Sequence, residues 1–233
     1  MLYTLENVRA NIRNRDGKRV FYLDEKDQIT PSARDFLSRE RIEILPAILA
    51  KPQQYQLTNG AVFAEKPEHF THLRGNILVP KTHPVIVFRG ATDTLQAELL
   101  LAQLAAPEDL RPQIGEILTL ARNIIRWDVM EEPAQLDKLC GLTLAQQRSH
   151  SHQPQVHYGQ PHFMPEYTDG AAILQLNRAR CAARTAELAA NHAFCDESGH
   201  CSREDLLQVL NRMSSMLYIL MIREKAKKGM DLH

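Results

Sequence analysis

At 233 residues the chain is long enough for one large domain with its own core, or for such a domain plus a small appendage, rather than two equal domains. Lys+Arg and Asp+Glu both number 28, so the formal charge is +0 and no global field recruits nucleic acid or an anionic membrane surface. No apolar run approaches the roughly 20 residues that span a bilayer, and the opening MLYTLENVRANIR lacks a signal-peptide core, so a cytoplasmic protein is expected, with neither nucleic acid nor membrane as partner.

Hydrophobic content of 44% with only 6% aromatic points to packed helices rich in Leu and Ala, a mainly α fold. The four cysteines, Cys140, Cys181, Cys195 and Cys201, are too few and too irregularly spaced for a disulfide framework, so reduced thiols are the expectation. His192, Cys195, His200 and Cys201 lie close together in sequence, but their spacing matches no standard zinc pattern and DESGH reads as a helix-to-helix turn.

Residues 1–65 read as a small mixed α/β unit and linker. A hairpin around Arg15-Asp16-Gly17 leads into VFYLD, and ITPSARDFLSRERIEIL predicts a helix with Pro31 in its first turn, capped by Thr30 or Ser32, then a strand. Asn59-Gly60 marks a turn. Residues 66–233 read as a helical bundle. From His72 an irregular approach segment, interrupted by Pro80 and Pro84, delivers the chain to a first helix over Asp93–Ala106, with Thr and Asp in capping positions. A second helix runs over 110–131, with Trp127 in a packing role, and Ala134–His150 is predicted to be a third, shorter helix. The stretch SHSHQPQVHYGQPHFMPEYTDG then carries His150, His152, His157 and His162 among three prolines, an extended loop whose histidines read as surface polar groups.

The segment Gly170–Glu187, GAAILQLNRARCAARTAE, is the least ordinary in the chain. At about 100° per residue, Ile173, Asn177, Arg180, Arg184, Glu187 and Asn191 fall on one line, a polar stripe where a bundle helix is normally apolar. Arginine keeps its charge across the ordinary pH range, so a partly buried pair requires an anion, either protein carboxylate or bound phosphate. The helix alone leaves two readings standing, a solvated Arg–Glu lattice and an anion site. The final helix begins at Ser202 with a Ser-x-x-Asp box to Asp205, and its apolar face is interrupted by a notch of Asn211, Ser214 and Ser215; KAKKGMDLH is read as a frayed end. Four to five helices joined by short turns build ligand sites from facing side chains, and neither a P-loop nor GxGxxG occurs.

The spacing Arg180-x3-Arg184-x2-Glu187, preceded by FMP and DG, followed by VLNRMSS and introduced by VPKTHPVIVFRGATD, resembles the corrinoid adenosyltransferases of the ethanolamine-utilisation type. The resemblance extends over most of the chain, through ITPSARDFLSRERIEI, KPEHFTHL, ARNIIRWDVMEEP and SHQP. It implies a five-helix bundle, a homo-oligomer with a trimer favoured, and a site at the subunit interface where the 5′-deoxyadenosyl group of ATP passes to cob(I)alamin. On that resemblance the catalytic residues are Arg180, Arg184 and Asp93, and Lys81, Glu187 and Asn211 bind nucleotide. Asp93 and Glu187 would orient the arginines. The residue at the lower corrin face aligns with His162, with Phe163 adjacent, so either side chain is the candidate. ATP comes with Mg²⁺, cobalamin is the corrinoid substrate, and a flavoprotein is the implied reductant.

Two departures accompany the match. The Thr/Gly/Asp-rich N-terminal phosphate loop of the more distant propanediol branch is absent here. Some ethanolamine-type members carry a His and Cys cluster near KPEHFTHL, whereas His69 and His72 have no cysteine before Cys140, so no protein-bound metal is expected there. The resemblance adds a microcompartment setting to the cytoplasmic location. A non-catalytic corrinoid or nucleotide carrier in such a compartment is the alternative reading.

Overall fold

The computed structural model describes residues 1–15, 17–49 and 54–230. The chain divides into two compact units, one of residues 1–55 with 62–65 and the other of residues 56–61 with 66–233. Helix dominates the described residues.

In the first unit β1 (Leu2–Tyr3) pairs in parallel with β4 (Gln28–Ile29). β3 (Lys18–Leu23) lies between β2 (Arg13–Arg15), antiparallel to it, and β5 (Glu43–Pro46), parallel to it. The antiparallel register Arg15↔Lys18 closes the hairpin anticipated there, with Asp16 itself outside the described residues. α1 (Leu5–Ala10) and α2 (Pro31–Arg39) cover a core of Val8, Phe21, Ile29, Ala33, Phe36, Leu37 and Ile42. Thr4 and Asn7 form a reciprocal capping box on α1, whereas Thr30 occupies the N-cap of α2 without a side-chain bond to it.

The second unit opens on β6 (Tyr55–Leu57), whose Gln56 and Leu57 pair in parallel with β9 (Ile77–Pro80). A turn at Asn59-Gly60 follows, where Gly60 takes φ 87, the left-handed conformation that glycine adopts without a Cβ penalty, and the chain then enters the short strand β7 (Val62–Phe63), which belongs to the first unit. β8 (Phe70–Arg74) runs antiparallel to β9, so the stretch read as irregular is instead a pair of strands.

The first long helix, α3 (Pro84–Ala105), begins well before Asp93. Pro84 is at its first turn, where the missing N–H would have no intrahelical partner anyway, and His83 caps it by accepting from the Val85 amide at 3.2 Å. Proline starts this helix instead of interrupting the segment before it, and Asp93 therefore lies in the middle of α3. Thr92, read as a capping residue, is buried and donates to the Phe88 carbonyl at 3.0 Å.

α4 (Arg111–Val129) follows Pro107 and buries Ile114, Ile117, Ile124 and Trp127. The predicted helix over 134–150 forms only in part. β10 (Lys138–Leu139) and β11 (Leu142–Thr143) make a small hairpin through Cys140 and Gly141, both at positive φ, and α5 (Leu144–His152) starts behind a Thr143–Gln146 capping box. α6 (Pro154–Tyr158) is a single short helix within the histidine-rich stretch.

α7 (Ala171–Phe194) and α8 (Glu204–Met230) complete the unit. α7 packs against both α3 and α8, and α3 packs against α4, around one continuous core. The expected Ser202–Asp205 box is not formed. Asp205 instead accepts from the Ala134 amide at 2.7 Å and from Arg203, which itself reaches the carbonyls of Trp127 and Glu132, so the carboxylate is used to tie the end of α4 to the start of α8. The tail is helical through Met230, because Lys225 and Lys228 bond back to Asp169; residues 231–233 lie outside the described residues. The expectation of four reduced thiols is also corrected: Cys195 and Cys201 are joined as a disulfide, brought together by a turn in which Asp196 Oδ1 accepts from Ser198 and His200 amides and Gly199 takes φ 87. Cys140 and Cys181 are free.

One buried ion pair sets where α3 meets α4. Asp128 is fully buried and accepts from Arg89 Nε at 2.7 Å, while the same guanidinium donates to the carbonyls of His72 and Leu73 at 3.4 and 3.1 Å. Removing one member leaves the other charged and poorly solvated. Asp128→Asn is therefore expected to cost about 3–5 kcal/mol of stability, read as a lowered urea midpoint with an unchanged slope.

Candidate functional site

The helix that carries the arginines is close-packed on one side and polar on the next. Ala179, Ala183, Ala186 and Ala190 are fully buried, so small side chains recur every three to four residues and allow neighbouring helices to approach closely. One step around the helix, Asn177, Arg180, Arg184 and Glu187 follow the edge of that contact. Arg180 is half-buried, and its Nε and Nη2 both donate to Asn177 Oδ1, at 3.1 and 2.8 Å. Arg184 is exposed. Asn177 fixes the guanidinium of Arg180 without neutralising it, and among the described residues neither arginine is paired with a carboxylate.

Glu187 is engaged by α8. Asn211 Nδ2 donates to Glu187 Oε1 at 3.0 Å, Asn211 Oδ1 accepts from Arg212 at 2.5 Å, and Ser215 Oγ donates to the Asn211 carbonyl at 3.0 Å. The notch that interrupts the apolar face of α8 thus meets the polar stripe of α7 directly. Asp93 is exposed in mid-α3 and accepts from Gln96 at 3.4 Å. Lys81, just past β9, donates to Glu68 at 2.7 Å. Among the described residues no bond links Asp93 or Lys81 to the ridge, and neither Asp93 nor Glu187 orients the arginines within one chain.

The two candidates on the loop are in different surroundings. Phe163 is half-buried, packs against the core and lies under Lys225, whose Nζ is 5.6 Å from the ring centroid. His162 is exposed and rests on α8, its ring parallel to that of Tyr218 with centroids 5.8 Å apart. His162 Nδ1 is 2.8 Å from the Tyr218 hydroxyl, and Nε2 is 3.3 Å from the His152 carbonyl. A carbonyl only accepts, so in the neutral ring the proton sits on Nε2, and Tyr218 must donate to Nδ1. Burial raises the Tyr218 phenol above its ordinary value, while the Phe163 backbone N–H and the Arg180 charge pull it the other way.

Two thiols are free: Cys181 is exposed beside Arg180, whose Nη2 donates to its Sγ at 3.7 Å, and Cys140 lies elsewhere. The Cys140 thiol, away from the ridge, is pushed up to about 12 by burial and by Glu116, and is protonated at neutral pH. Among the described residues no three His, Cys, Asp or Glu side chains gather as a metal site. What the arrangement offers is a pair of cationic forks one turn apart beside a hydrogen-bonded Glu–Asn contact, the chemistry of a polyphosphate or other polyanion site.

Comparison with known proteins agrees with this inventory. The family model described as cobalamin adenosyltransferase matches residues 62–224, which contain every residue of the ridge and the loop. The chain belongs to the cobalamin adenosyltransferase family. Its curated relatives include the corrinoid adenosyltransferase EutT of Salmonella typhimurium, 30% identical over 243 residues, covering 94% of this chain and 91% of that protein. The protein of the same name from Escherichia coli is 29% identical over 248 residues, covering 97% and 92%. The resemblance to the ethanolamine-utilisation type is therefore sound across nearly the whole chain.

Sequence reasoning missed Tyr218 and the bonding role of Asn177. Both had a usable signal, because Tyr218 lies two turns beyond Asn211 on the same face of α8, and Asn177 lies one turn before Arg180.

The loop that carries His162 and Phe163 is anchored where it meets α7. Asp169 is buried, its Oδ2 accepts from the Glu166 amide at 2.9 Å, and Oδ1 pairs with Lys225. Burial raises this carboxyl, but the Glu166 amide, Lys225 and Lys228 outweigh it and hold it below the usual carboxylate range. Gly170, next in the chain, takes φ 84, a backbone conformation that a side chain would strain. A depressed folded pKa gives stability that is present above the unfolded carboxyl value of about 3.9 and is lost as pH falls through the folded value. Asp169→Asn should accordingly flatten the acid limb of a plot of urea midpoint against pH below about pH 4.

Proposed function

We propose that the protein is an ATP:corrinoid adenosyltransferase, a cob(I)yrinic acid a,c-diamide/cobalamin adenosyltransferase that transfers the 5′-deoxyadenosyl group of ATP to cob(I)alamin. The observation that carries the reading is the pair Arg180 and Arg184, held beside the Glu187–Asn211 contact with no carboxylate of the described chain to compensate them. The family match and the names of the relatives support it. The substrate supplies the nucleophile, cobalt(I), so the protein needs no side-chain base or covalent residue. A cobalt–carbon bond forms as the C5′–O bond of ATP breaks, and the electron pair of that bond departs with the polyphosphate.

The work left to the protein is binding, orientation and charge stabilisation. Arg180 and Arg184 hold the polyphosphate of Mg-ATP and stabilise the negative charge that builds on it as it leaves. Glu187 and Asn211, locked to each other, present an acceptor and a donor beside those phosphates to the nucleoside. Lys81 adds a further cation. His162, the exposed member of the loop pair, takes the lower corrin face, and Phe163 holds the loop to the core.

The reading extends to the assembly. The long helices α3, α4, α7 and α8 with α5 form the five-helix bundle of residues 66–233, and residues 1–65 are the appendage. α3 exposes Leu100 and Leu104 along the face that carries Asp93, with Leu101 beside them, an apolar surface suited to a second copy of the chain. Asp93 of one subunit then meets the arginine ridge of the next in a homo-oligomer, a trimer, with the site at the interface. No described helix is long and apolar enough to cross a membrane. The protein works in the cytoplasm, beside a microcompartment and with a flavoprotein reductant.

Removing Arg184 leaves the packed alanine face untouched. Arg184→Ala is expected to lower formation of adenosylcobalamin, followed by its absorbance under strong reduction with ATP, by about 10²–10³-fold, with an unchanged circular dichroism spectrum. Full activity in that variant would overturn the assignment of the ridge. Binding of cobalamin and ATP by the wild type without any cobalt–carbon bond would favour a carrier.

A further inference from the structure

Tyr218 occupies a position that the reaction chemistry does not call for. α7 and α8 are joined by the short segment 195–203 and pack along their lengths, with Glu187 bonded to Asn211. Two turns back along α7 from Glu187 is Arg180, and two turns forward along α8 from Asn211 is Tyr218. In an antiparallel pair these two fall opposite each other. The phenol hydroxyl donates to His162 Nδ1 at 2.8 Å, and the two rings lie parallel. Among the described residues His162 has one further tether, from Nε2 to the His152 carbonyl at 3.3 Å. One side chain therefore stands between the cationic ridge and the only exposed ring of the loop pair.

We propose that Tyr218 is a positioning residue that couples the two ligand sites, holding His162 from a point opposite Arg180 so that a polyanion on the ridge and a corrinoid against the loop influence each other's binding. The inference rests on the reading of the ridge and loop given above. An anion drawn to Arg180 competes with Asn177 for the guanidinium and changes the field at the phenol facing it. The phenol in turn sets the orientation of the His162 ring. A hydroxyl suits this role because it turns without moving its ring, which stays packed on α8. Coupling of this kind is reciprocal, so cobalamin must alter the affinity for ATP by the same factor by which ATP alters the affinity for cobalamin.

The test is calorimetric titration of the full chain with cob(II)alamin, with and without Mg-ATP, for the wild type, Tyr218→Phe, His162→Ala and His162→Asn. In the wild type Mg-ATP is expected to change the cob(II)alamin Kd by about tenfold. Tyr218→Phe keeps the ring and should bring that factor close to one while each ligand still binds by itself. His162→Ala should weaken cob(II)alamin binding itself as well as remove the coupling, and His162→Asn, which keeps an acceptor near the Nδ1 position, should restore most of the coupling. A factor unchanged in Tyr218→Phe would overturn the coupling role and leave the site assignment standing. A wild type that binds neither ligand would overturn the site assignment and the coupling together. Inorganic triphosphate in place of ATP separates a phosphate effect from a nucleoside effect: a triphosphate that reproduces the factor supports a path through Arg180, and one that binds but leaves the Kd unchanged overturns it.

Discussion

The site depends on how closely α7 can approach its neighbours. A stripe of alanines gives α7 a face of methyl groups against which α3 and α8 pack closely. That contact leaves the adjoining polar residues nowhere to go but along its rim. Arg180 is half-buried for this reason, close enough to the core to be held in one orientation and near enough to the surface to meet an anion. The Glu187–Asn211 bond ties α7 to α8, while Asn177 holds Arg180 within α7 itself.

α8 serves as the spine on which the loop is laid. Tyr218 takes His162, Lys225 takes the face of Phe163 and the carboxylate of Asp169, and Lys228 takes the Asp169 carbonyl. These positions recur at seven and three residues, so they lie along one side of the helix. A loop that the chain could not order by itself acquires a fixed path because the last helix carries cations and a phenol at the right period. The same lysines keep that helix regular to Met230, through a stretch whose composition reads as a frayed end.

The second unit thus separates two tasks. The apolar faces of α3, α4, α7 and α8 provide the core, closed at one end by the buried Arg89–Asp128 pair and by Asp205 bonding across to Ala134. The polar rim of α7 and α8 provides the chemistry, using side chains that contribute little to the core. Arg184 illustrates the division, since its side chain is exposed while the residues beside it, Ala183 and Ala186, are fully buried.

The sequence by itself determined the long helices, the polar stripe of α7 and the notch of α8, because both periodicity and residue type are local properties. It also determined the family, through the spacing of Arg180, Arg184 and Glu187 and the segments around them. It misplaced the start of α3, because a proline that looks like an interruption is harmless in the first turn of a helix. It read a helix into 134–143, where Cys140 and Gly141 adopt positive φ and close a hairpin instead. The partners of the polar groups were decided only by the tertiary structure. Asn177 rather than Glu187 holds Arg180, Asp205 serves Ala134 rather than its own helix, and His162 rather than Phe163 remains at the surface. A hydrogen bond requires two groups within about 3 Å, and which distant residues come that close is set by how the helices pack against one another, a relation that no single stretch of sequence contains.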